Sequence, residues 1–190
     1  MVKRAMCHIR LGGFFLTILA CLSMCLSIFA APGAQAQTAA GIEQTFAGSL
    51  TAVPAENLAV AGSFYVPVYS SVSMSQGKLR ADFSVTLSIH NASETKPLVL
   101  KRIAYFDTVG KMVESYLKAP VALKPFAAVE VFIAATDVRG GTGGANFVVD
   151  WAAAGEIAEP AVEALMVGSV GAGHYAFISQ GRPIRLIGKN

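Results

Sequence analysis

Four glycines in five positions, with an arginine just ahead of them, form the stretch of this sequence best suited to hold a ligand. The run is Asp137, Val138, Arg139, Gly140, Gly141, Thr142, Gly143 and Gly144. Each glycine in an ordered segment costs about 0.5–1 kcal/mol relative to alanine. Glycines are tolerated there for positive φ, for close approach of another group, or for mobility. Successive amides in such a loop can form a concave anion site, with Arg139 beside it and Asn146 just beyond. It is not a nucleotide phosphate loop, because no Gly-Lys-Ser/Thr follows and the next residues read as a strand. The competing reading is a long turn between strands, and the common use of glycine in turns weighs toward it. Asp137, Arg139, Gly140, Gly141, Gly143 and Asn146 are the candidate binding residues of this region.

Other side chains carry weaker signals. Tyr65 and Tyr69 flank Pro67 at even spacing, so one strand face would carry both and could line a groove beside an edge strand, or simply cover a sheet end. Trp151 is the single tryptophan; it alternates with Phe147 and Val149, which favours core packing over a carbohydrate or peptide platform. His90 and His174 have no second His, Cys or carboxylate at metal-ligand spacing, so no metal and no other cofactor is expected. A Gly-x-Ser-x-Gly elbow is absent. Two-carboxylate chemistry would need Asp107, Glu130, Asp137 or Asp150 to converge in space, and their spacing does not require it. The balance favours a non-enzymatic module over an enzyme.

The elements that would position these residues are short β-runs. Phe83, Val85, Leu87 and Ile89 alternate with Ser84, Thr86, Ser88 and His90, the period of a strand with one buried face. Similar runs cover 63–70, 98–106, 111–117, 127–134, 146–151, 162–168 and 174–179. Pro67 demands an edge strand or a bulge. Asp107 to Gly110 reads as a hairpin turn with glycine at a positive φ, Pro120 and Pro125 bracket a connector, and 182–190 reads as a tail. About eight strands with turn signals between them, and no long helical period, predict an antiparallel two-sheet β-sandwich. Its general architecture would be immunoglobulin-like, with a small β-barrel as the alternative.

The N-terminus predicts export. Lys3, Arg4 and Arg10 precede an uncharged apolar run over 11–31, followed by Pro32, Gly33 and the small-x-small triplet Ala34, Gln35, Ala36. That is the order of a cleavable signal peptide, with the cut expected after Ala36. The run is long enough to span about 30 Å of hydrocarbon, so an uncleaved anchor is one alternative and lipidation at Cys21 another. The cleavage triplet and the apolar residues beyond Cys21 argue against them. The expected organisation is a signal peptide over 1–36, an Ala/Gly-rich linker or arm over 37–62 with a short helix near 41–46, and a β-sandwich over 63–187. The expected location is the periplasm or the medium.

All three cysteines lie in the leader, so the mature domain is cysteine-free. The formal charge of +3 also comes from the leader, which takes three of the 15 Lys+Arg and none of the 12 Asp+Glu. A neutral mature chain argues against nucleic acid and against anionic lipid as partners. Stable membrane insertion after cleavage is not expected. A protein, an envelope component or a small ligand remains as the expected partner.

Several motifs, in order, resemble a known family. They are Tyr65-Val66-Pro67-Val68-Tyr69-Ser70, Thr86-Leu87-Ser88-Ile89, Tyr105-Phe106-Asp107 with Gly110-Lys111, Ser115-Tyr116-Leu117, and Pro120-Val121. They continue with the glycine run through Trp151, Glu163-Ala164-Leu165-Met166-Val167-Gly168, and Gly181-Arg182. Over about 63–187 the chain resembles the bacterial exported family known as domain of unknown function 3124. The resemblance implies export and a single β domain, and no mechanism. Members of that family carry His and aromatic residues just after Tyr-Ser. Here Ser71, Val72 and Ser73 stand there, so any ligand role of that histidine is missing from this chain.

Overall fold

The computed structural model describes residues 41–141 and 143–188. The expected signal peptide, its expected cleavage site and Cys21 lie outside these residues. No helix among the described residues is long and apolar enough to cross a membrane.

A short helix, α1 (Ile42–Thr45), is followed by twelve strands: β1 (Leu50–Thr51), β2 (Val60–Val68), β3 (Ser71–Met74), β4 (Leu79–His90), β5 (Leu98–Phe106), β6 (Met112–Ser115), β7 (Val121–Leu123), β8 (Ala128–Ile133), β9 (Ala145–Ala153), β10 (Ala161–Val170), β11 (Gly173–Gln180) and β12 (Arg182–Ile187). They form two antiparallel sheets and no closed barrel. One runs β1-β7-β5-β9-β2-β12, with β6 also on β5; the other runs β11-β10-β4-β3, with β8 also on β4. The architecture is the predicted β-sandwich.

The alternation read from the sequence drives the packing. Phe83, Val85, Leu87 and Ile89 of β4 are buried, as are Val129, Val131 and Ile133 of β8 and Val162, Ala164 and Met166 of β10. Phe64, Val66, Val68, Tyr105, Phe147, Val149 and Trp151 meet them from the other sheet in one continuous core. Trp151 is 2% exposed. Its indole lies over Gly62, where a Cβ would come within 2.6 Å of Nε1. The core belongs to one compact unit spanning Ala40–Asn190, and a unit with its own core folds on its own.

Several expectations meet a different outcome. The stretch read as an arm is docked at its start: Ile42 of α1 is buried, and β1 pairs with β7. The proline-bracketed connector contains β7, and the tail contains β12, which pairs with β2 over Ala61–Tyr65. β2 is therefore interior for most of its length. No residue of β12 stands opposite Pro67, so β2 becomes an edge where the proline sits. The predicted turn forms as read, with Gly110 at φ 82°. Asp107 Oδ1 accepts from the amides of Val109 and Lys111.

Candidate functional site

Two regions at one end of the sandwich bear on binding. The first is the corner built by the glycine run, which carries the chain from β8 in one sheet to β9 in the other. Arg139 is paired there with two carboxylates. Its guanidinium holds Asp137 through Nε (3.0 and 3.1 Å) and Nη2 (2.7 Å), and its Nη1 reaches Glu114 at 2.8 Å. Glu114 belongs to β6, so the pair ties the loop to the neighbouring hairpin. One cation facing two carboxylates leaves the cluster with net negative charge, which repels an anion.

The corner is closed underneath. The Tyr105 and Phe147 rings stack 5.0 Å apart, with Tyr116 6.1 Å from Phe147. Gly140 is needed because a Cβ there would collide with the Tyr105 hydroxyl. Thr108 donates to the Gly140 carbonyl through both its amide (3.1 Å) and its hydroxyl (3.0 Å), fixing the loop against the Asp107 turn. Gly141 lies over Thr108 in the same way, where a Cβ would come within 2.6 Å of the hydroxyl oxygen.

The electrostatics describe a resting corner. The hydrogen bonds from Arg139 hold the Asp137 carboxyl below its ordinary value, and those to Asp137 push the guanidinium further up. Burial raises both Tyr105 and Tyr116, with Glu114 adding to the effect on Tyr116. At neutral pH the corner therefore holds neutral phenols and a stabilised carboxylate, poor material for a general base. The Tyr105 hydroxyl is buried with no hydrogen-bond partner among the described residues.

The other candidate side chains are dispersed. Asn146 stands between Pro67 and Phe106 on the outer face of the larger sheet and does not join Arg139. Tyr65 is on that same face, opposite Arg182 and Val148. Asp150 is there too, held by Arg102 at 2.8 Å and by the Ser63 hydroxyl at 2.6 Å, with Arg185 at 3.9 Å. Asp107 is absorbed in its own turn, and Glu130 is exposed on β8. The four carboxylates do not form one constellation. Among the described residues no group of three His, Cys, Asp or Glu is placed to hold a metal ion.

The second region is a groove of about 600 Å³ opening at the same end. Tyr69 forms one wall, and Val72, Met74, Phe83, Tyr175 and Phe177 form most of the rest. Phe177 meets Phe83 edge-on at 5.1 Å and Tyr69 at 6.3 Å. His174 and Ala176 complete the lining, which contains no Asp, Glu, Lys or Arg. Tyr69 is thus the one sequence candidate on this wall, and a Cβ at Gly144 would lie 3.7 Å from its ring. Sequence reasoning missed the rest. The signal available was the uncharged aromatic pair Tyr175 and Phe177 at even spacing. A smaller cavity of about 190 Å³ lies between Trp151, Val60, Ile157 and Leu186.

No curated protein matches the chain. The solved structure titled "Crystal Structure of Thermotoga maritima 1070" is similar over 64% of this chain and 92% of its own, at 11% identity and a TM-score of 0.38. The family model for the protein of unknown function DUF3124 matches residues 61–184, from the start of β2 into β12, so the chain belongs to that family.

Proposed function

We propose that this chain is an exported, non-enzymatic binding module whose working surface is the groove between Tyr69 and β11. One observation carries the reading: the groove is open, apolar and free of charged side chains, at a volume ordinary for ligand sites. It suits an uncharged aromatic or aliphatic group, presented by a protein or a small ligand. The glycine corner, the alternative site and the seat of any enzyme reading, has Arg139 already paired with two carboxylates above a floor of packed aromatic rings.

Nile red, a neutral apolar dye, tests the groove. Residues 40–190 should bind it saturably at one site, and Tyr69→Ala and Met74→Asp should each weaken binding at least about tenfold, a loss of one well-packed contact. Absent binding, or binding indifferent to both changes, refutes the proposal. Export rests on the basic, apolar and small-x-small order of residues 1–36. The exported protein should begin at Gln37 by intact mass. Retention of residues 1–36, or acyl chains on Cys21, overturns that part.

A further inference from the structure

The last two strands of the chain lie at the ends of the two sheet paths, β11 in one and β12 in the other. Their exposed edges are treated in opposite ways. β12 contains Pro183, carries Arg182 and Arg185, and breaks register between Pro183 and Arg185. Proline, charge and a bulge are the three usual means of keeping a sheet edge from pairing with another chain. β11 has none of them. Its eight residues, Gly173–Gln180, hold no proline and no Asp, Glu, Lys or Arg, and they pair with β10 in unbroken register. Its other edge is unpaired among the described residues. Beside that edge the sheet also exposes Leu165, Val167 and Ile178, at 39, 46 and 56%.

We infer that β11 is a self-association edge, and that its occupant is β11 of a second copy of this chain, paired antiparallel about a two-fold axis at Ala176. The inference rests on the reading of this side as a docking surface and names the partner. Three features select a second copy. An uncharged strand can face itself without the like-charge repulsion that opposes self-pairing. A two-fold axis through a residue pairs positions of equal parity, so the inner and outer faces of both copies stay continuous. With the axis at Ala176, Tyr175 of each copy stands opposite Phe177 of the other. Both belong to the groove face, and the two cross-strand aromatic pairs would close over the groove walls. An axis at Phe177 would instead oppose Tyr175 to Ser179 and leave one Phe177–Phe177 pair in place of the two. The contact extends the five-stranded sheet through two copies. A strand-edge contact is at the small end of stable interfaces, so the dimer is a reversible one.

Ala176 offers a direct test. It is exposed in the single copy, so a charged residue there leaves the fold intact, which circular dichroism checks. At the axis it would face its own copy. Sedimentation equilibrium of residues 40–190 should show a concentration-dependent dimer. Ala176→Asp and Ala176→Lys should each weaken it at least about tenfold. Mixing the two variants should restore association to at least the wild-type level, because the axis then joins opposite charges. A wild type that stays monomeric up to ~1 mM, variants that dimerise like wild type, or a mixture no tighter than either variant alone would each overturn the inference. Nile red binding at nanomolar wild-type protein, where the chain is monomeric, reports on the groove separately, so the two proposals fail independently.

Discussion

The glycine corner and the β11 edge differ in how their bonding capacity is used. At the corner, Arg139, Asp137, Glu114 and Thr108 all spend their hydrogen bonds on one another or on the loop backbone. At the edge, a row of backbone groups is unpaired among the described residues, and Tyr175 and Ile178 are exposed along it. Charged residues beside glycines attract attention in a sequence, but chemistry available to a ligand is what remains after the protein has satisfied itself. The corner is a lid on a filled core; the edge is the open surface.

Both regions stand on one core. Trp151 is almost wholly buried over Gly62. Trp151→Ala should cost about 3–5 kcal/mol of the roughly 5–15 kcal/mol available to a domain. The urea midpoint measures it. A midpoint unchanged from wild type would make Trp151 a surface platform and remove the common foundation of the two regions.

At the corner itself, Gly140→Ala forces a methyl group against the Tyr105 hydroxyl and leaves it 3.0 Å from Ala145 Cβ. Overpacking of this kind should cost about 1–3 kcal/mol, read from the same denaturation curve. A tolerated alanine would show a loop with room beneath it, and would reopen the corner as a cavity.

How much of this could be read along the chain depends on the range of the interactions. The inward faces of β4, β8 and β9 were legible because alternation is local: Phe83, Val129 and Phe147 each announce their face through the next residue but one. β3 and β7 were not. Ser71 to Met74 carries no clean alternation, and Val121 to Leu123 is buried at every position. Strand order is non-local, so Tyr65 and Tyr69 look equivalent in sequence while one ends on an outer face and the other in a groove. The partners of Arg139 include Glu114, 25 positions away. Nothing in the spacing of either residue points to the other, and the same distance hides the difference between the edges of β11 and β12.

The ion pair gives a smaller effect with a definite sign. Arg139 lowers the folded-state value of Asp137 below its unfolded value near 3.8. A depressed carboxyl contributes stability above the unfolded value, and that contribution fades as pH falls through the folded one. Arg139 is half exposed, so solvent screening limits the pair to about 1 kcal/mol or less. Arg139→Met should lower stability at pH 7 by that amount and narrow the gap from wild type below about pH 4. A gap independent of pH would mean that the arginine acts by packing alone.

The smallest effect separates lid from site most sharply, because it concerns the one buried polar atom of the corner without a partner. The Tyr105 hydroxyl has no hydrogen bond among the described residues, and its ring is wholly buried. An unsatisfied buried polar group costs about 1–3 kcal/mol relative to a paired one, and removing it recovers part of that cost. Tyr105→Phe should therefore leave the urea midpoint unchanged or raise stability by up to about 1 kcal/mol. It should also soften Gly140→Ala, since the new methyl group then loses the atom it strikes. The double variant should be less destabilised than additivity allows, as expected for groups in contact. A loss of more than about 1 kcal/mol in Tyr105→Phe would reverse the comparison. The hydroxyl would then be holding something in the native protein, and the glycine corner would become a binding site in its own right.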